Sequence, residues 1–340
     1  LARRRLAFEE LFYLAVGLAF LKRRRTTLST GCPIPALPVE QFAALLPFTP
    51  TDAQRRTMEE AARDMACGRP MNRLVQGDVG SGKTVVAAYA GWLAVQGGFQ
   101  AAMMAPTEVL AEQHFRTLSA LLSPAGVRVG LLTGAMTAAQ KRKVHADLAA
   151  GDIDFVVGTH ALLSQGVAFR RLALIITDEQ HRFGVEQRSA LAEKSAAGGM
   201  PSPHVLVMSA TPIPRTLALI LYGDLDVSVI DQLPPGRTPI STYVIREDKR
   251  QRMYRFVRKL VGQGRQAYLV CPAVEEGEES PGEPGGEGLK AAVPYAEHLK
   301  SEVFPDLRVG LVHGKMKARD KDAAMTAFAA GELEVLVSTT

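Results

Sequence analysis

Arg73-Leu74-Val75-Gln76-Gly77-Asp78-Val79-Gly80-Ser81-Gly82-Lys83-Thr84-Val85-Val86 is the stretch from which the rest of the chain is read. Positions 77–84 satisfy the pattern G-x-x-x-x-G-K-[ST] at every fixed position, between an apolar strand at Arg73–Val75 and a helical stretch at Val85–Val95. Glycines let backbone amides converge on phosphate oxygens, and the start of the helix adds partial positive charge. Gly77, Asp78, Val79, Gly80, Ser81, Gly82, Lys83 and Thr84 therefore form the expected cradle for ATP. Lys83 reaches the β and γ phosphates, and Thr84 ligates Mg2+. A bare glycine turn would not explain the lysine and threonine together.

Outward from that loop, short apolar runs alternate with longer helical patterns, which predicts an α/β fold with mostly parallel sheets and crossover helices. Strands are expected at Arg73–Val75, Ala101–Ala105, Arg128–Leu132, Phe155–Val157, Leu172–Thr177 and Val205–Ser209. After Gln232-Leu233-Pro234-Pro235-Gly236 a second series begins, at Thr242–Ile245, Ala267–Cys271, Arg308–Val312 and Glu334–Val337. The expected division is a helical connector at 1–45, a first lobe at 46–233 and a second lobe from 234 to 340. Glu275–Gly288 is rich in Glu, Gly and Pro and reads as a loop that cannot pack, with an acidic interaction patch as the alternative. No period of 20 to 50 residues repeats, which excludes a solenoid.

Composition narrows the class. The chain has 340 residues, 47% of them hydrophobic, which is enough for two cores. A net charge of +5 and a pI near 9.1 are compatible with a polyanionic partner without requiring one. The three cysteines, Cys32, Cys67 and Cys271, lack metal-ligand spacing and pair into no framework, which fits a reducing, cytoplasmic setting. Arg3-Arg4-Arg5 ahead of the apolar Leu11–Leu21 mimics a signal peptide. Glu9 and Glu10 interrupt it, no small-residue cleavage site comes after it, and it is too short to span a bilayer; a buried helix with basic ends is expected. Because the first residue is Leu1, the chain is expected to be a piece of something longer.

A nucleotide hydrolase needs a carboxylate at the end of a second strand, and Leu172–Thr177 delivers Asp178 and Glu179 there. Asp178 is assigned to the magnesium shell, and Glu179 to orienting and deprotonating the attacking water. An isolated Asp-Glu pair is usually solvated surface; one placed after a buried strand and downstream of a phosphate loop is a catalytic candidate.

With Gln180 and His181 the pair becomes Asp-Glu-Gln-His, and the chain resembles superfamily 2 helicases built from two RecA-like P-loop lobes. The resemblance implies that His181 couples hydrolysis to Ser209-Ala210-Thr211 through Ser209 and Thr211. It implies too that Pro47-Phe48, Thr51 and Gln54 form the adenine-reading segment, with Phe48 and Gln54 as contacts. Further strings carry the likeness: Ala105-Pro106-Thr107-Glu108-Val109-Leu110-Ala111-Glu112-Gln113-His114, Gly158-Thr159-His160-Ala161-Leu162-Leu163, Asp178 to Val185, and Met208 to Leu217. Together they are similar to the RecG family, bacterial ATP-dependent helicases that remodel stalled forks and Holliday junctions in DNA repair and recombination. The transcription-repair coupling translocases share several strings but typically carry Glu where this chain has Gln180.

The resemblance implies a monomeric motor whose Thr107, Thr159 and Arg215 contact strand backbones independently of sequence. Taken alone, threonines and arginines at such places are helix caps and solvated surface. No counterpart of that family's fork-splitting wedge is recognised, and the chain stops at Val337-Ser338-Thr339-Thr340, before its later arginine-bearing motif. Weak hydrolysis by this stretch alone is therefore expected. Two rivals from other classes are a P-loop kinase acting on a small molecule, whose ATP use would ignore DNA, and a nucleotide-gated clamp that unwinds nothing.

Overall fold

The computed structural model describes residues 2–28, 31–178, 190–191, 194, 199, 201–210, 225–232, 234, 240–272 and 291–339. They fall into two compact units, Leu1–Thr238 and Pro239–Thr340. The 275–288 stretch expected to be a loop lies outside the described residues.

The first unit opens with helix α1 (Ala2–Leu28). It is helical as expected but not buried: Phe8, Phe12, Tyr13 and Phe20 stand exposed, and Phe8 stacks on Phe12 at 5.9 Å. Among the described residues no helix is long and apolar enough to cross a membrane. The next segment does join the core. Cys32, Ile34, Val39 and Phe42 are buried, and Phe42 in α2 (Val39–Ala43) packs its ring against Tyr89 and Trp92 at 5.5 and 5.6 Å.

Then come α3 (Asp52–Ala66), β1 (Asn72–Gly77), α4 (Lys83–Gln96), β2 (Gln100–Met104), α5 (Glu108–Leu122), β3 (Val129–Leu132), α6 (Ala138–Ala150), β4 (Phe155–Gly158), β5 (Leu172–Asp178), β6 (His204–Ser209) and β7 (Asp226–Ile230). The strands form one seven-stranded sheet in the order β3-β4-β2-β5-β6-β1-β7, parallel at every pairing. Parallel strands covered on both faces read as continuous apolar runs, which is why β5, buried at all seven positions, is visible in the sequence. β7 is not, because this edge strand alternates exposed Asp226 and Val229 with buried Ser228 and Ile230. α4 lies close against the sheet because Gly91 has no side chain: a Cβ there would sit 2.1 Å from the Phe155 ring.

His204, at the start of β6, ties that strand to the segment ahead of α2. Its Nδ1 accepts from the Met71 amide at 2.9 Å, so Nε2 carries the proton and donates to the Cys32 carbonyl at 2.6 Å. Burial holds its pKa below the ordinary 6.5, only partly offset by the Cys32 carbonyl. The unfolded chain therefore takes up this proton first as pH falls. The stability contribution is complete above about pH 6.5 and drains away below it, by up to about 1.4 kcal/mol per pH unit. Thermal unfolding measured between about pH 7 and pH 5 should show a falling midpoint, and His204→Gln should flatten that fall.

The second unit contains α7 (Arg250–Val261), β8 (Ala267–Cys271), α8 (Ala292–His298), β9 (Val309–Val312), α9 (Ala318–Ala329) and β10 (Val335–Thr339), with a parallel sheet in the order β8-β10-β9. The strand expected at Thr242–Ile245 is not there. Those residues have no regular structure, and Tyr243 and Val244 are 81% and 99% exposed. Their β-branched and aromatic composition favours a pleated surface, but a strand also needs a neighbour to pair with.

A likeness between the units emerges over a longer interval than a solenoid repeat. Arg128 donates to the carboxylate of Asp154 and to the Gly151 carbonyl, and Arg308 does the same to Glu334 and Gly331. Lys141 donates to the Gly134 carbonyl as Lys321 does to that of Gly314. The β3-α6-β4 and β9-α9-β10 segments are thus the same supersecondary unit, closed by the same bonds.

Candidate nucleotide site

The phosphate loop is held open by backbone that only glycine adopts easily. Gly80 and Gly82 have φ of 77° and 86°, and Gly82 sits at the N-cap of α4. A Cβ on Gly82 would also come within 2.2 Å of Gln54 Nε2. That approach arises because the Gln54 amide donates to the Ser81 carbonyl at 2.8 Å, while its oxygen accepts from the Thr51 amide at 2.9 Å in the capping box of α3. Gln54 is 2% exposed, so the adenine-reading candidate braces the phosphate loop from beneath; Phe48 is 44% exposed.

Lys83 folds onto the loop itself, its Nζ donating to the carbonyls of Gly77 at 2.7 Å and Asp78 at 3.0 Å. The Asp78 carboxylate accepts from the Val79 amide at 2.8 Å and shapes the turn. Ser81 is fully buried, and its hydroxyl finds no hydrogen-bond partner among the described residues; neither does that of Thr177. The Ser81 hydroxyl, orphaned within a loop of converging amides, is what a bound phosphate and its cation would satisfy.

The sheet register brings the other candidates alongside. Asp178 lies opposite Met208, and Gln76 opposite Ser209, so β5, β6 and β1 end side by side with Asp178, Ser209 and Gly77 at one edge of the sheet. This is the carboxyl edge, where parallel α/β sheets bind ligands. Asp178 is buried, and one oxygen accepts from His114 Nε2 at 2.6 Å. Thr84, in the first turn of α4, and Asp178 supply the hard oxygen donors that suit Mg2+. Among the described residues no three His, Cys, Asp or Glu side chains cluster to hold a metal.

Thr107 and Thr159 extend the same edge beyond β2 and β4, which pair at Met104 and Gly158. Thr107 is the N-cap of α5, its hydroxyl accepting from the Leu110 amide at 3.3 Å, so its capping role is real whatever else it touches. Thr159 is 7% exposed, with its amide donating to the Leu132 carbonyl. Glu179, His181, Thr211 and Arg215 lie outside the described residues. The motif string that ends in His114 does not reveal its contact with Asp178, which joins positions far apart in the chain. Nor do sequence motifs reveal Gln232, whose side-chain oxygen accepts from the Ala53 amide at 3.1 Å and ties the end of the first unit to α3.

The family model for DEAD/DEAH box helicases matches residues 51–220. An ATP-dependent DNA helicase RecG from Synechocystis sp. is 50% identical over all of this chain, which covers 40% of that relative. The helicase of the same name from Thermotoga maritima is 47% identical, again over the whole chain, and 42% of it is covered. A solved structure of RecG bound to a three-way DNA junction superposes with a TM-score of 0.78 at 42% identity, over 100% of this chain and 43% of that one. The helicase MrfA bound to DNA, at 16% identity and a TM-score of 0.63, shares the fold. This chain thus spans about two fifths of the length of these RecG relatives.

Proposed function

Since the chain belongs to the DEAD/DEAH box helicase family, we propose that it is the motor of an ATP-dependent DNA helicase of the RecG type, which remodels branched DNA such as stalled forks and Holliday junctions. The observation that carries this reading is the row of strand ends at which Gly77, Ser209 and Asp178 stand together beside the phosphate loop. The RecG relatives, matched along the whole chain, supply the DNA part of it.

In this scheme the loop amides and the Lys83 ammonium bind the β and γ phosphates of ATP. Moving Lys83 from the Gly77 and Asp78 carbonyls to phosphate exchanges neutral acceptors for charged ones, a stronger class of hydrogen bond. Thr84 and Asp178 hold Mg2+, which when bound neutralises charge developing on the phosphates. Glu179 takes the proton of the water whose oxygen attacks the γ phosphorus; the bond to the bridging oxygen breaks, and ADP leaves with the electron pair. His181 relays the change to Ser209 and Thr211.

Thr107, Thr159 and Arg215 meet strand phosphates, contacts that carry no sequence information. The protein works as a monomer in the bacterial cytoplasm. DNA affinity measured across a salt series should fall steeply as salt rises and differ little between unrelated sequences. Affinity that ignores salt, or that depends on base sequence, would rule these backbone contacts out.

A further inference from the structure

We propose that His114 is a positioning residue for the magnesium-holding carboxylate of Asp178. The inference rests on the nucleotide site proposed above and adds to it a residue from a different element. His114 lies two turns into α5, and Asp178 is the last residue of β5. The two side chains meet at 2.6 Å, with 11% and 12% of their surfaces exposed. A carboxylate only accepts, so the imidazole Nε2 donates, and that bond fixes the plane of the carboxylate by occupying one of its oxygens.

The contact is built rather than incidental. α5 is anchored at its start by the Thr107 cap, and Glu108 in its first turn accepts from the Ala135 amide at 2.7 Å. Ala111, Leu118, Leu121 and Leu122 bury its inner face in the core. The ring is thus carried by a helix whose position is fixed at both its cap and its packed side. A hydrogen-bond donor on a ligating carboxylate sets its orientation, and losing such a partner typically costs about tenfold to a hundredfold in metal affinity.

The test is a magnesium titration of nucleotide binding, using N-methylanthraniloyl-labelled ADP as the fluorescent probe, on the wild-type chain, His114→Ala and His114→Gln. His114→Ala should need about tenfold more magnesium to reach half of the magnesium-dependent gain in affinity. Its affinity for the probe in excess EDTA should match wild type, which also shows that the loop is folded. His114→Gln keeps a side-chain N–H donor and should recover most of the loss. An unchanged magnesium midpoint in His114→Ala, or a Gln variant as impaired as Ala, would overturn the inference while leaving the nucleotide site standing. A wild-type chain that binds no probe at any magnesium concentration would overturn both. Probe affinity lowered equally with and without magnesium in His114→Ala would assign His114 a merely structural role and overturn the inference as well.

Discussion

Lys83→Ala in the full-length protein is expected to cut ATP turnover by on the order of 10² to 10³, the scale seen when one preorganised donor to a developing charge is removed, and to abolish strand separation with it. The fold should survive. Lys83 is half-buried, and its two bonds described above go to backbone carbonyls of a loop that is also held by the Ser81 to Asp78 turn and by Gln54 from beneath. Steady-state ATP hydrolysis, alongside a thermal unfolding midpoint, checks both halves of the statement. Turnover within a few-fold of wild type would mean that the loop is not the catalytic phosphate site.

The second large effect concerns stability. Arg73 enters from β1 into a cluster with α3 and β7. Its Nε donates to Asp64 at 2.7 Å, and Nη1 donates to Glu60 at 3.0 Å and to the Ser228 hydroxyl at 2.6 Å; that hydroxyl in turn donates to Glu60. The arginine side chain is 10% exposed and the two carboxylates 27% and 29%. Burial pushes the Asp64 carboxyl above its ordinary pKa, and Arg73 is the principal group pulling it back. Arg73→Ala leaves two partly buried carboxylates side by side with no cation between them. A loss of about 3 kcal/mol is expected, the low end for breaking a buried pair because these carboxylates keep some contact with water. Chemical denaturation measures it directly. Arg73→Lys should recover only part of the loss, since one ammonium cannot reproduce a fork that bonds Asp64, Glu60 and Ser228 together.

These two residues show what a sequence discloses and what it withholds. The phosphate loop containing Lys83 is legible residue by residue because its backbone conformation admits so few side chains: positive φ at Gly80 and Gly82, and a cation and hydroxyl at fixed offsets. Asp178 is legible because a buried parallel strand announces itself as an apolar run, and a carboxylate at the end of that run stands out. Arg73 and His114 are not. Each takes its meaning from partners on other elements, Arg73 from Ser228 on β7 and His114 from Asp178 on β5, and no local pattern records such a meeting.

The departures from expectation have the same origin. The apolar run Leu11–Leu21 suggests a buried helix, yet α1 exposes Leu11, Phe12, Tyr13, Val16 and Phe20. Thr242–Ile245 has strand-forming residues but, among the described residues, no strand pairs with them. Local propensity proposes an element, and packing decides whether it is buried or formed at all. The recurrence of the Arg128 clamp at Arg308 is legible in the sequence once the comparison interval is long enough to span a whole lobe.

The central claim, an ATP-driven DNA motor, is tested most directly by steady-state ATP hydrolysis of the full-length protein without DNA and with forked, plain duplex or single-stranded DNA. Hydrolysis should be low without DNA and rise most with the fork. A rate indifferent to every DNA, or one that rises only when a small-molecule phosphate acceptor is added, would contradict it.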